Sequence, residues 1–191
     1  GNKIITTGEG EIITTNDDSV AAELRILRNQ GQSARYQHTH LGFNYRMTEL
    51  QATVGLVQLQ SLPSRLAEKR RVVEGYTRHF TGSDLISLPV VPAYVDRHAW
   101  YMYAPAFASS VERDAVVKTL DEEGIETRLS FPPVHIQPYY MERFGFKHED
   151  YPVSLEAWSH LINLPISPNL TDAQIDYVAS TTLQAAAKHR R

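Results

Sequence analysis

The sequence predicts a protein of mixed helix and strand whose carboxyl-terminal part is a small α+β domain. Apolar side chains recur at helical spacing over long stretches, and clusters of β-branched residues bounded by glycine and proline separate these stretches. The order of predicted elements after residue 83 is strand, helix, strand and further helices, which is typical of an α+β domain. A chain of 191 residues buries roughly 70% of its unfolded surface, so we expect a stable core.

Composition and charge are those of an ordinary globular protein. Apolar residues make up 42% and charged residues 21% of the chain, and the formal net charge of −3 gives no electrostatic footprint for nucleic acid. The absence of cysteine excludes a disulfide, a thiolate metal site and a thiol nucleophile. The sequence has neither an apolar run of about 18 residues nor a signal-peptide pattern. It therefore predicts a cytoplasmic protein without a membrane partner.

Two β-branched clusters open the chain. They occupy residues 4–7 and 12–15 and flank the tight segment Gly8-Glu9-Gly10, so two strands around a turn are predicted. This pattern places Lys3 at the edge of a sheet. Farther along, residues 32–44 lack regular periodicity and are predicted to form a long loop, and loops of this length are more often functional than accidental.

Helices are predicted from capping residues and apolar spacing. The helix over 47–62 opens with a capping box at Thr48 and Gln51 and is predicted to stop at Pro63. Because it is apolar on two sides, it needs either a large core or a partner subunit to cover it. The other predicted helices cover 18–29, 64–80, 109–124, 137–143 and 154–162, with a last helix after a capping box at Thr171.

A domain boundary is predicted near residue 82, where Thr81-Gly82-Ser83-Asp84 breaks the helical pattern. The predicted domains are therefore 1–82 and 83–191. Within the second domain, Phe131 to His135 is predicted to be a rigid exposed turn, because Pro132 and Pro133 lack amide donors. Strands are predicted at 86–88, 99–103 and 125–130.

Lys3 is the first candidate for chemistry. A lysine amine in a poorly hydrated cleft can lose its proton and attack a carbonyl to form a Schiff base, which is the chemistry that pyridoxal phosphate requires. The alternative is that a lysine near the start of a chain is simply a solvated surface charge.

The string Gly1-Asn2-Lys3, followed by Thr6-Thr7-Gly8-Glu9-Gly10, resembles the cofactor-lysine segment of the DegT/DnrJ/EryC1/StrS sugar aminotransferases. These are fold-type I enzymes that use pyridoxal 5′-phosphate, and the resemblance implies that Lys3 holds the cofactor. It also implies an α/β fold class. The chain is expected to be the carboxyl-terminal part of such a transferase, with the end of the large domain followed by the small α+β domain. Glu11 departs from the family, which usually has a further glycine at this place.

A second string, Leu41 to Met47, precedes the helix that begins at Thr48. Backbone amides at a helix start attract an anion, and Asn44 and Arg46 add side-chain donors for a phosphate or a sugar hydroxyl. The string resembles the family motif Gly-aromatic-Asn-aromatic-Arg-Met. The resemblance implies that Asn44 contacts the cofactor phosphate of the neighbouring subunit and that Tyr45 and Arg46 line the substrate pocket. The alternative is that Asn44 is a capping or turn residue.

A third string, Arg128 to Pro138, resembles the substrate-facing loop of the family. The resemblance implies that His135 either contacts the substrate or holds this loop. Many members carry a histidine-aromatic pair where this chain has Ser130 and Phe131, so a hydrogen bond to the sugar is missing or shifted. His38 and His40 have no third ligand in sight, and we predict a solvated loop there rather than a metal site.

The resemblance implies a pyridoxal-phosphate-dependent transamination of a nucleotide-linked keto sugar. The Gly1-Asn2-Lys3 start together with residues 38–48 looks most like the perosamine synthase branch, which implies amination at C4 of a 4-keto-6-deoxy sugar. The family resemblance also implies glutamate as the amino donor and a homodimer as the assembly. The family places the acid that pairs with the pyridine nitrogen before the lysine, so residues 1–191 alone are expected to be inactive. Two alternatives remain: a non-catalytic dimerisation or interaction module, and a sugar dehydratase relative, which would carry histidine in place of Lys3.

Overall fold

The computed structural model of the protein describes residues 3–191. The chain divides into two units, Gly1–Pro63 and Ser64–Arg191. Gly1 and Asn2, which open the predicted lysine string, lie outside the described residues. The domain boundary predicted near residue 82 stays a prediction.

A short helix and a two-stranded antiparallel sheet follow the start of the first unit. Helix α1 covers Asp18–Leu27, and the carboxylate of Asp17 accepts hydrogen bonds from two amides of its first turn. Such a cap satisfies amides that have no partner within the helix, and it confirms the helix predicted here. Strands β1, Gln32–Ala34, and β2, Gln37–His38, pair antiparallel inside the segment predicted to be a loop. That prediction was wrong because strands of two or three residues are too short to show an alternating pattern.

The strands predicted at the start of the chain are not formed. Between residues 3 and 15 the backbone makes bends and irregular segments. β-branched residues favour a strand only when a neighbouring strand shares their backbone hydrogen bonds, and the sheets of the described residues pair other segments. Ile12 and Ile13 are both exposed, so no buried face fixes the second cluster. Local strand propensity was therefore a misleading signal here.

Helix α2 covers Glu49–Phe80 as one continuous element of 32 residues, with Pro63 inside it. The prediction that Pro63 ends the helix was wrong. A proline in a helix interior costs about 3 kcal/mol, but it removes only one backbone donor and leaves the turns on either side intact. The second half of α2 is anchored by buried side chains, including Val72, Val73 and Tyr76. Burial of this half offsets the local cost of the proline.

The second unit packs short strands and helices around the second half of α2. Strands β3, Ile86–Ser87, and β4, Ala106–Phe107, pair antiparallel. None of the helices formed by residues 3–191 is long and apolar enough to cross a membrane. The remaining helices are α3, Arg113–Glu122, α4, Pro138–Phe144, α5, Pro152–His160, and α6, Asp172–Lys188, the last with the predicted capping box of Thr171 and Gln174.

An aromatic cluster lies at the centre of the second unit. The ring of Tyr76 lies 6.1 Å from that of Phe80 and 5.2 Å from that of Tyr103, between ring centres. The Tyr76 hydroxyl donates to the carbonyl of Pro165 at 2.7 Å, which satisfies the polar end of a buried tyrosine. Burial also raises the pKa of Tyr103 to about 12. The cluster therefore stays uncharged at physiological pH and holds the unit around α2.

Four local predictions in the second unit were wrong, because distant contacts decide the structure. Residues 99–103 do not form the predicted strand, and Tyr103 makes an isolated bridge to Leu164. Helix α3 starts after Glu112 rather than at a Ser109 capping box, and the Glu112 amide donates to the carbonyl of His189. Residues 125–130 form a single bridge, from Arg128 to Asn163, in place of a strand. The segment predicted to be an exposed turn instead ends in a short 3-10 helix, Val134–Ile136, in which the histidine is buried.

Candidate functional site

Lys3 is exposed and precedes a turn that depends on glycine. Within this turn, the Thr7 hydroxyl donates to the carbonyl of Glu9 at 2.9 Å. Gly8 has φ +81° and Gly10 has φ +144°, which are backbone conformations that other residues rarely adopt. A Cβ added at Gly10 would lie 2.8 Å from the Met47 side chain. The turn after Lys3 is thus packed against the residue that follows Arg46.

Gln51 connects this turn to the start of α2. Its Oε1 accepts from the backbone amide and the hydroxyl of Thr48, each at 2.9 Å. The backbone amide of Gln51 donates to Thr48 Oγ1 at 3.3 Å. These bonds confirm the predicted capping box. The Nε2 group of Gln51 donates to the carbonyl of Glu9 at 2.9 Å. One side chain therefore caps the helix and also holds the segment that carries the lysine.

Replacing Gln51 by Glu should release the lysine segment without disturbing the helix. A carboxylate keeps the oxygens that accept from Thr48, but it has no N–H for the carbonyl of Glu9. The lost bond is worth about 0.5–1.5 kcal/mol, so hydrogen exchange in residues 4–12 should become about 2- to 10-fold faster. Mass spectrometry of peptides from this segment and from residues 52–60 measures the effect.

The matched control is Gln51→Ala, which removes the capping oxygen as well. This variant should speed hydrogen exchange both in residues 4–12 and in the first turns of α2. Equal protection of residues 4–12 in Gln51→Glu and in the unchanged protein would contradict the role of Nε2.

The strand-like segment 43–45, which contains Asn44, is fixed to the end of α1. Asn29 and Asn44 face each other in an antiparallel bridge. Because backbone bonds flank this bridge on both sides, the two segments are held together. The bonds are Gln30 N to Phe43 O at 2.8 Å, Phe43 N to Leu27 O at 2.9 Å and Tyr45 N to Arg28 O at 2.9 Å.

Two glycines permit this close approach. A Cβ added at Gly31 would lie 1.7 Å from the carbonyl oxygen of His40, and one added at Gly42 would lie 2.1 Å from the amide nitrogen of Gly31. Gly31 also has φ +72°. No side chain fits at either position, so both glycines are required for the placement of Asn44.

Asn44 belongs to a network of polar side chains. Arg46 Nε donates to Asn44 Oδ1 at 2.9 Å, and Arg46 Nη1 donates to Asn29 Oδ1 at 3.2 Å. Asn44 and Arg46 are exposed, whereas Asn29 is half-buried. The alternative that Asn44 caps the next helix is wrong, because Thr48 occupies that position. Asn29 was missed in the sequence, since its contact with Arg46 spans 17 residues and has no pattern.

Tyr45 points an aromatic ring to the surface beside this network. Its ring stacks on that of Phe43 with centres 5.1 Å apart and planes 16° apart. The Tyr45 residue is 72% exposed. Paired exposed rings of this kind suit contact with a ligand or a partner. The substrate contact assigned to Tyr45 stays a prediction.

His135 lies in the second unit and is only 7% exposed. Its Nε2 is 3.3 Å from the carbonyl oxygen of His148, and its ring centre is 4.9 Å from that of Tyr151. These contacts support the alternative that His135 holds its loop. Phe131, in the same loop, is 87% exposed. Direct contact between His135 and the substrate stays a prediction.

The two histidines of the first unit have hydrogen-bond neighbours nearby. His38 Nδ1 lies 2.9 Å from the carbonyl oxygen of Gln30, and His40 Nδ1 lies 2.9 Å from the Thr39 hydroxyl. Across residues 3–191, no three or more His, Asp or Glu side chains are grouped in a way that could hold a metal ion.

Comparison with known proteins identifies the family of this chain. Residues 1–183 match the DegT/DnrJ/EryC1/StrS aminotransferase family. The GDP-perosamine synthase of Caulobacter vibrioides is 43% identical over 183 residues, which are 93% of this chain and 48% of that protein. The GDP-perosamine synthase of Escherichia coli O157:H7 is 31% identical, over 95% of this chain and 48% of that protein. The chain thus spans about half the length of the curated relatives it matches.

A solved structure gives the same result for the fold. DesV of S. venezuelae, determined in complex with a ketimine intermediate, matches with a TM-score of 0.80 and 30% identity. The match covers 91% of this chain and 46% of that chain. It confirms the predicted fold class, which is part of a fold-type I transferase with mixed helix and strand.

Proposed function

The chain belongs to the DegT/DnrJ/EryC1/StrS aminotransferase family, and from this membership we propose that the protein transfers an amino group to a nucleotide-linked keto sugar. The proposed acceptor is a 4-keto-6-deoxy sugar aminated at C4, and the proposed donor is glutamate. The supporting observation is the 43% identity to a GDP-perosamine synthase over 93% of this chain. The cytoplasmic location predicted from the sequence stays a prediction.

The donor groups of the first unit fit pyridoxal 5′-phosphate. Lys3 offers an exposed primary amine, which is the group that an aldehyde requires. Asn44 offers an amide N–H, because its oxygen is already engaged by Arg46. Amide and guanidinium N–H groups are good donors to a phosphate. We therefore propose that Lys3 holds the cofactor and that Asn44 contacts its phosphate, in the neighbouring subunit of a homodimer.

Pyridoxal phosphate, when bound, supplies an aldehyde for the amino group and a ring that withdraws electrons from the reacting carbon. Lys3 is proposed to hold this group between turnovers through Nζ. Once the amino donor has displaced it, the same Nζ would serve as the general base that takes a proton from the α-carbon of the donor, and then as the general acid that returns it to the carbon of the former aldehyde. Tyr45 and Arg46 are proposed to bind the substrate. His135 is proposed to contact the substrate, to hold its own loop, or both.

The exposed apolar side chains of α2 support a homodimer. Leu50, Val54 and Val57 follow one another at helical spacing along one face, and they are 81%, 44% and 59% exposed. A contiguous apolar surface of this kind marks a protein interaction site. The same surface is the observation that favours the second candidate function, a non-catalytic dimerisation module.

Replacing Val57 by Glu in the complete protein should therefore convert a dimer into a monomer. A carboxylate buried in an apolar interface loses its hydration and gains no partner, so its desolvation free energy opposes association. Light scattering after size-exclusion chromatography measures the mass. Gln184→Glu adds the same charge on an exposed position of α6 and should leave the dimer intact. A monomeric unchanged protein would contradict the proposed assembly.

The experiment that tests the function uses the complete protein with pyridoxal phosphate, glutamate and a nucleotide-linked 4-keto-6-deoxy sugar. We expect 2-oxoglutarate and the 4-amino sugar to form in equal amounts, as measured by mass spectrometry. Residues 1–191 alone should give no product, as the resemblance implies. Amination of a 3-keto sugar only would contradict the proposed position, and amination of neither sugar would contradict the proposed function.

A further inference from the structure

Arg46 and Asn29 hold the side-chain amide of Asn44 in one orientation. We infer that they are positioning residues, which present the Nδ2 group of Asn44 to the phosphate. The inference rests on the proposed function, in which Asn44 makes that phosphate contact. It goes further by giving Arg46 a second role and by assigning a role to Asn29, which lies 15 residues before Asn44 in the sequence.

The chemistry of the contact fixes which end of the amide faces which neighbour. A guanidinium has only N–H donors, so the Asn44 atom 2.9 Å from Arg46 Nε must be the oxygen. The nitrogen of the same amide then faces away from Arg46. A phosphate has only acceptors, and a flipped amide would present its oxygen to that phosphate. Arg46 therefore selects the orientation of the Asn44 side chain in which Nδ2 can donate to the phosphate.

Arg46 needs a second contact to do this, because its side chain is long and exposed. The second contact is the bond from Nη1 to Asn29 Oδ1 at 3.2 Å. Two bonds from different nitrogens of a planar guanidinium fix the plane of the group. Asn29 is itself well placed, because it is half-buried and bridges Asn44 through the backbone. Its Nδ2 donates to Gln32 Oε1 at 3.4 Å.

The test measures how much the phosphate contributes to binding. Pyridoxamine 5′-phosphate and pyridoxamine are titrated separately into the complete protein freed of cofactor. The dissociation constant of pyridoxamine divided by that of pyridoxamine 5′-phosphate gives the contribution of the phosphate to binding. We expect Asn44→Ala to reduce this ratio by about 10- to 100-fold and Asn29→Ala to reduce it by about 5- to 10-fold. Asn29→Asp keeps an oxygen for Arg46 and should retain the ratio. Thermal unfolding checks that each variant is folded.

A double variant separates positioning from a direct contact. In the Asn44→Ala background, Asn29→Ala should have no further effect on the ratio, because there is no amide left to orient. An unchanged ratio in Asn29→Ala, or an equal further loss in the double variant, would overturn the inference while leaving the proposed function in place. A ratio near one in the unchanged protein would instead refute the phosphate contact, and with it this inference.

Discussion

Replacing Lys3 by Ala in the complete protein should lower the rate of transamination by at least about 10⁴-fold, the order of loss seen when a covalent catalytic residue is removed. In the proposed function one amine does two tasks, since it holds the cofactor and it moves the proton. Thermal unfolding of Lys3→Ala and of the unchanged protein, both freed of cofactor, checks that the variant is folded, so that the lost rate can be assigned to the chemistry.

Chemical trapping gives a readout that does not depend on turnover. Borohydride reduction of the complete protein with pyridoxal phosphate should leave a pyridoxyl group on the peptide that contains Lys3, as seen by mass spectrometry. Lys118 is a suitable control, because its side chain is 80% exposed and its Nζ is 4.0 Å from Glu122 Oε1. Lys118→Ala should retain the label and Lys3→Ala should lose it. A label on another lysine would contradict the assignment of Lys3.

The same experiment separates the candidate functions. A protein that forms a dimer but takes up no label at Lys3 would be an interaction module, as the exposed face of α2 also allows. A labelled protein that aminates no sugar would retain the cofactor chemistry and refute only the substrate. The presence of a lysine at position 3 already disagrees with a dehydratase, for which histidine is expected.

The sequence predicted the parts of the site that depend on short strings. The capping box at Thr48 and Gln51 is local, so residue spacing was enough to find it. The family resemblance at Lys3 and Asn44 also came from contiguous residues, and the family match over residues 1–183 includes both. Patterns of this kind are visible because the residues that act together are neighbours in the chain.

Contacts between distant residues could not be predicted in this way. The bond from Gln51 to Glu9 spans 42 residues, and the bond from Arg46 to Asn29 spans 17. Neither has a periodic signal, because each depends on how segments meet in three dimensions. The continuous helix through Pro63 was missed for a related reason, since burial of its second half outweighs a local breaker. The sequence thus indicated candidate residues for the site, but not the contacts that hold those candidates in place.

Replacing Gly31 by Ala should destabilise the first unit by about 3–5 kcal/mol, which is large for a single methyl group. The left-handed backbone, φ +72°, accounts for only about 1–2 kcal/mol of this cost. The larger part is steric, because the new Cβ would lie 1.7 Å from the oxygen and 2.6 Å from the carbon of the His40 carbonyl. Relieving this overlap requires breaking the bonds that Thr39 N and His40 N donate to the Gly31 carbonyl, at 2.9 and 3.3 Å.

Gly145 offers a matched control for this variant. It also has φ +72°, but nothing lies within 4 Å of its added Cβ, so Gly145→Ala should cost only the backbone strain of about 1–2 kcal/mol. Hydrogen exchange of the amides in residues 27–45 measures the difference and should show loss of protection in Gly31→Ala alone. Since those amides fix Asn44, the phosphate contribution to binding should fall together with their protection. Equal losses in the free energy of unfolding for the two variants would contradict the close contact between Gly31 and His40. The position of Asn44 would then have to depend on other contacts.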